Sequence, residues 1–448
     1  MRLKTTLILF VGAALALAYF FLIEQPRHET AVRRAERTDA LTRLEPGAIT
    51  GLSIRRPGLA LEFERRGGIW HMLEPVADEG DPATLNVLIR EITDARVENR
   101  FPAPESSLVE YGLEEPAAVD RLTTASMDST FVLDIGELNL TKSSFFARIS
   151  GAGDVVLLPA GIRRYSLLPL FAYRNKRVFQ LPVDDVQRLI IASGGREQDW
   201  SLDESGRWHT MRDGHRIAGD AARITDVVRE LRSMRATDIP FPVSDRDAYF
   251  RDVAGRVDLR TRSNEQVAVT FSAPLDTGAS CYVETSVSGR ISLVDSVVLD
   301  IFEKTVNDLR DRRLLHFERE RAAEIKLQTP DGDMSITRSG GGWAFVNPEF
   351  GIVSARAAAK LVTRLENLDF TAVVEESLKG TGMHGFDRPT FLLVVLDTDG
   401  GVADAVTAGD RTPGGERYYV TSRSTGILAV IDTAVLDGLI ADFRNLAE

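Results

Sequence analysis

Trp70 and His71 stand side by side in the stretch RGGIWHM, Arg66 to Met72, and set an aromatic wall beside a titratable ring. Such a pair can belong to a binding or acid–base site, because imidazole changes charge near neutral pH and an indole offers a large apolar face. The other histidines are His28, His209, His215, His316 and His384. No H-E-x-x-H is present, and no two histidines share a helix at metal-ligand spacing. His209 repeats the position of His71, while Ala344 stands at the third such place. Equivalent residues in separate units do not build one site, so these histidines are expected on strand faces.

Other patterns resemble sites only formally. GTGMHG, Gly380 to Gly385, fits G-x-G-x-x-G but leads into Phe386-Asp387-Arg388-Pro389 and a strand, not into a helix whose N-terminal N–H groups could meet a pyrophosphate. GAGDVV at Gly151 joins two strands of a hairpin. DGD (Asp331 to Asp333) and DTDGG (Asp397 to Gly401) lack the ligand ladder and terminal Glu of a calcium loop, and Asp-Gly between alternating apolar residues is a hairpin turn signal. No P-loop and no G-x-S-x-G elbow occur. Cys281, the single cysteine, opens a predicted strand with no histidine near it in sequence, and it excludes an internal disulfide and Cys-based metal centres. No catalytic, cofactor-binding or metal-ligating residue is assigned, no cofactor is expected, and binding residues stay open.

The elements that would position any site are those of ordinary globular material: 44% hydrophobic and 27% charged residues over 448 positions suit two to four domains. A formal net charge of −12 repels polyanions, so nucleic acid is not an expected partner. Thr5 to Ile23 carry no charge and as a helix would rise about 28 Å, close to the ~30 Å apolar core of a bilayer. A signal anchor is favoured over a cleaved signal peptide, since the apolar run continues beyond the small residues Ala16-Leu17-Ala18 through Tyr19, Phe20 and Phe21. Counting Arg and Lys alone would keep the C-terminal side in the cytoplasm, yet a short basic head followed by a long domain fits export. The expected place is therefore the inner (cytoplasmic) membrane, single-pass, with the body on the periplasmic side. Residues 24–45 are a charged tether.

The body reads as a threefold repeat. Trp70 recurs as Trp208 in SGRWHT and Trp343 in GGGWAF, each time after glycine. Behind each lies an amphipathic helix: Leu85, Leu88, Ile89 and Ile92; Ile224, Val227, Val228 and Leu231; Ala358, Leu361, Val362 and Leu365. Asp81-Pro82, Asp220 and Ser354 stand where N-caps belong. YGLEEP and HGFDRP place Gly112 and Gly385 at one offset from their tryptophans, and Gly136 and Gly409 share a second. Alternating strands follow, and YRNKRVF, LRDRRLLHF and FRNLAE are read as ends of closing helices, with Arg174, Arg310 and Arg444 equivalent. The expected fold class is α+β: one transmembrane helix (1–23), then three tandem β-rich repeats (46–180, 181–317 and 318–448) with mainly antiparallel strands and two helices each.

The glycine–tryptophan turn, YGLEEP, DIGE and the connectors RNKRVF and RDRRLL resemble an uncharacterised bacterial family, the domain of unknown function 4340, over most of residues 46 to 448. The resemblance implies a membrane-anchored extracytoplasmic protein, with genes often beside ABC-type export components similar to those of gliding motility. It implies no catalytic residues. The expected function is an accessory or scaffold protein, partnered with an ABC-type permease–ATPase complex and with the bilayer through residues 5–23, and not an enzyme. The alternative is a periplasmic binding protein for a glycan or lipid, and a hydrolase without a recognisable motif is the third reading.

Overall fold

The computed structural model of the chain describes residues 40–102, 105–125, 130–243, 245–276, 278–346, 352–378, 380, 382 and 384–446. The Thr5–Ile23 run, His28 and the tether before residue 40 lie outside them. No described helix is long and apolar enough to cross a membrane.

Three antiparallel sheets of nine, eight and nine strands carry the described chain, as the tandem β-rich repeat predicts. In the first sheet Ile49–Arg56, Leu59–Arg66, Ile69–Glu74 and Asp78–Glu79 form a meander. The helix Pro82–Thr93 then carries the chain across to Asn99–Pro102 at the far edge, from which it returns to Ala118–Thr124, paired with the other side of Ile49–Arg56. Thr130–Leu138, Ser144–Ile149 and Asp154–Pro159 continue outward, and Asn99–Pro102 closes the far edge. The third sheet follows the same path from Ala322–Thr329 to Leu428–Asp432, closed by Ala372–Glu375. The second runs from His215–Ala218 at one edge to Ile291–Asp295.

Sequence periodicity and packing agree closely in the three long crossover helices. Every apolar stripe residue expected in Pro82–Thr93, Ala221–Ser233 and Ala355–Glu366 is buried against its sheet. Asp81 accepts from the N–H groups of Ala83 and Thr84, Asp220 from Ala222 and Arg223, and Ser354 from Ala357. Each cap satisfies N–H groups that the helix itself cannot. The three tryptophans are buried as well, with Trp70 only 1% exposed.

The turns before them are not alike. Gly67-Gly68 and Gly340-Gly341 are two-residue hairpin turns with positive φ at both positions, the geometry that matches strand twist. Before Trp208 the chain instead makes a longer loop in which the Asp203 carboxylate accepts from the N–H groups of Ser205 and Arg207. Only Gly206 has positive φ there. The second repeat thus departs from the common glycine turn, because an aspartate side chain organises the loop.

YGLEEP and HGFDRP mark a close approach of backbone to backbone. Gly136 lies so near the carbonyl of Tyr111, and Gly409 so near that of His384, that a Cβ at either position would collide with the oxygen. Gly136→Ala is expected to cost about 1–3 kcal/mol by overpacking. A melting temperature equal to the parent's would refute the tight-contact account.

Two expectations about the repeat ends need correction. The helices preceding YRNKR and LRDRR are single turns, Leu170–Tyr173 and Val306–Leu309, and the arginines that follow are extended. Arg444 instead ends the twelve-residue helix Thr433–Arg444 and pairs with Asp331 at the surface. It is not the counterpart of Arg174 and Arg310, both buried. Counting from the tryptophan through loops of unequal length aligned three arginines that the fold keeps distinct.

The chain divides into two compact units. Of the described residues, one comprises 40–178 with Arg235–Phe241, and the other Phe179–Met234 with 242–446. The second and third sheets therefore belong to one unit.

Candidate functional site

Within the second unit, the connector Arg310–Phe317 passes from the second repeat to the third and borders a cleft of about 570 Å³. That volume lies in the ~300–1,000 Å³ range of small-ligand sites. The cleft is built by the strand edge Arg216–Gly219, the connector, and the loop around Ser424. None of these elements is close in sequence.

Arg310 is its deepest charge. Its two terminal nitrogens donate to the Glu376 carboxylate at 3.0 Å each, and the guanidinium sits 5.3 Å from the centre of the Phe370 ring. Its Nε has no hydrogen-bond partner among the described residues. The Nδ1 of His209, which also lines the cleft, lacks one among them as well. A buried unpaired polar atom costs about 1–3 kcal/mol, so two in one cleft call for an explanation.

The first repeat supplies a comparison. Gly80 bridges Arg174 as Gly219 bridges Arg310, which aligns Asp78 with Ile217 and Glu79 with Ala218. There the Nε of Arg174 donates to Asp78 at 2.6 Å, and Asn175 donates to Glu79 at 2.8 Å. The second repeat has replaced both carboxylates by apolar side chains and kept the arginine.

A second cluster lies across the cleft. The buried Asp404 carboxylate accepts from the backbone N–H groups of His316, Ala405 and Ser424, which ties the connector to the loop between Arg417–Ser422 and Leu428–Asp432. The tie brings His316 Nδ1 to 3.1 Å from the Ser424 hydroxyl and His316 Nε2 to 3.1 Å from Asp311. Burial raises the Asp311 carboxyl, but hydrogen bonds from His316 and Arg313 outweigh it and hold the group well below the usual carboxylate range. An ionised Asp311 accepts from Nε2–H, which in the neutral ring leaves Nδ1 to accept from the serine. Serine, imidazole and carboxylate thus stand in line. The surrounding N–H groups are already committed: Ser424 to Asp404, Thr425 to the Ser422 hydroxyl and Gly426 to the Ser422 carbonyl. An oxyanion forming at Ser424 would find no free backbone donor among them.

The residues weighed in the sequence fall apart in space. His71 lies on the strand Ile69–Glu74, and His215 is exposed on the edge strand. His384 packs 4.4 Å from the Tyr419 ring centre, and the carbonyl of His384 accepts from Asp410 N–H. Gly385 therefore belongs to a loop against a strand, not to a dinucleotide turn. Pro330-Asp331 forms the hairpin turn and Gly332 already pairs with Thr329 in the ladder, while Asp397 is held by Arg321 and by the N–H groups of Asp399 and Gly401. Cys281 is buried, and burial pushes its thiol up to about 12, which suits packing and not nucleophilic attack. Among the described residues no cluster of histidine, cysteine and carboxylate could hold a metal ion. Among the described histidines, His209 and His316 both line the cleft. Sequence reasoning missed that place, although the change from Asp78-Glu79 to Ile217-Ala218 was visible once the repeats were aligned.

Comparisons with known proteins add the family. No curated protein matches the chain. Two solved DNA polymerase sliding clamps from Pseudomonas aeruginosa, one with ligand and one bound to griselimycin, align at 9% and 8% identity. They cover 88% and 87% of this chain and 94% and 92% of theirs, but the TM-score of 0.13 in both cases carries no likeness of fold. The model of the family described as Domain of unknown function (DUF4340) matches residues 70–254 and 251–383. Those matches span more than half of the sequence, from the first buried tryptophan to the loop before Gly385, and the chain belongs to that family.

Proposed function

We propose that this chain is a single-pass accessory or scaffold protein, anchored in the inner membrane by residues 5–23 with its body on the extracytoplasmic side. Its partner is an ABC-type permease–ATPase complex, and it performs no catalysis of its own. The observation that carries this reading is the threefold reuse of one β-rich layer with its helix, cap and tryptophan retained. Repetition of a layer on one tether multiplies binding surface, since engagement of one copy raises the effective concentration of the next. The committed N–H groups around Ser424 also favour binding over acyl transfer.

Affinity purification of the full chain from mild detergent tests the reading. Recovery of a permease or ATPase in stoichiometric amount is the expected result, and its repeated absence overturns the proposal. The cleft favours a second reading, a ligand-binding protein. Its wall of arginines, histidines and carboxylates suits a polar ligand such as a glycan better than a lipid, which needs a deep apolar pocket.

A further inference from the structure

We infer that the cleft between the second and third repeats binds an extended acidic peptide, which adds as a strand to the edge of His215–Ala218. The inference rests on the reading of the chain as a protein-binding scaffold and names the chemistry of the segment it holds.

The backbone comes first. His215–Ala218 is the outermost strand of its sheet. The carbonyl of Ala218 points away from the sheet and accepts from Asp311 N–H at 2.9 Å. Groups two residues apart on a strand point the same way, so the N–H and C=O of Arg216 also face outward. No backbone partner for either occurs among the described residues. Arg216, Ile217, Ala218 and Gly219 all line the cleft, so this edge faces into it. An edge of this kind pairs with an incoming extended chain.

The acidic character comes from Arg310. In the first repeat the corresponding Nε is satisfied by Asp78, a carboxylate on the repeat's own edge strand. In the second, Ile217 occupies that position and the Nε of a residue only 4% exposed has no acceptor among the described residues. The missing carboxylate is one that a bound peptide can bring. Four guanidinium groups, of Arg207, Arg216, Arg310 and Arg313, face three carboxylates, of Asp203, Asp311 and Glu376. Asp220 and Asp369 also act on Arg313, so the preference for an acid comes from the unpaired Arg310 donor and not from a net local charge. Complementarity therefore selects an acidic strand over a basic one.

The test uses the full chain in mild detergent and calorimetric titration with the peptide acetyl-Val-Glu-Val-Glu-Val-Glu-amide, its glutamine counterpart and succinate. The glutamate peptide is expected to bind saturably below about 1 mM, and the glutamine peptide at least about tenfold more weakly. Arg216→Pro removes an outward N–H without touching the inner ladder and is expected to abolish binding. Ile217→Asp restores in the second repeat the carboxylate that the first contains, and is expected to erase the preference for glutamate over glutamine. Melting curves of both variants establish that they are folded, and the peptide pair on the unaltered chain decides the matter even if neither variant folds. Equal binding of the two peptides, or no binding of either, overturns the inference. Displacement of the peptide by succinate at equal concentration also overturns it, in favour of a free carboxylate. Loss of the permease in affinity purification would leave these titrations untouched, so the two proposals fail separately.

Discussion

Asp120→Val is expected to stabilise the first unit by about 4 kcal/mol at pH 8 and by far less at pH 4. Asp120 pairs with Ile54, at a register position where Ile191 faces Val257 and Leu327 faces Leu393 in the other sheets. It is therefore a carboxyl set into a core site that the sister repeats fill with hydrocarbon. Burial pushes it up to about 7, against the pull of the Ser166 hydroxyl and the more distant Arg56 guanidinium. Because the folded value exceeds the unfolded value of 3.8, the folded state binds the proton more tightly. Stability is thus full below pH 4 and declines as pH rises to about 7, where the folded carboxyl finally ionises. Valine removes that decline. The Ser166 hydroxyl keeps the Ile162 carbonyl as its acceptor at 2.9 Å, so the replacement strands no donor. Hydrogen exchange in Ala118–Thr124, compared between parent and variant at both pH values, reads the effect locally. A parent chain no less stable at pH 8 than at pH 4 relative to the variant would show that Asp120 is not strained by burial.

Trp70→Ala carries the second large effect, a loss of about 3–5 kcal/mol from the first unit. The indole is 1% exposed, its N–H donates to Asn86 at 3.1 Å, and the Arg65 guanidinium lies 5.8 Å from the ring centre. Truncation opens a cavity between sheet and helix and leaves Asn86 without this donor. Against a total of 5–15 kcal/mol typical of a domain, that is a large share. Exchange should accelerate in Ile49–Arg56 and Leu59–Arg66, while strands of the second unit such as Phe391–Asp397 remain unaffected. Unchanged exchange in the first sheet would contradict the packing role.

What was legible in the sequence was local. A stripe such as Leu85, Leu88, Ile89 and Ile92 follows from helical period alone, and the Asp81 cap acts on N–H groups two and three residues away. The tandem sheets followed from comparing such stretches. Register and junctions were harder, because loop length intervenes between a tryptophan and its connector, and a surface arginine passed for the partner of two buried ones. The cleft was the least legible part. Arg310, Glu376 and Ser424 meet only after two sheets have formed, and no spacing along the chain announces that meeting. A buried Asp120 is equally silent, since one acid in a strand reads as a solvent-facing residue until its neighbours are placed.

The membership of Arg235–Phe241 in the first unit has a consequence for synthesis. Ala236 N–H donates to the Lys176 carbonyl, and the Ile239 carbonyl receives Arg174. A ribosome making the chain has therefore delivered the helix Ala221–Ser233 of the next repeat before the first unit can complete its contacts. At ~5–20 residues per second the incomplete unit waits several seconds, with the Arg174 junction open to solvent. Fragments cut at the sequence boundary of the first repeat would remain permanently in that state, so expression of the unit alone calls for the later segment to be supplied with it.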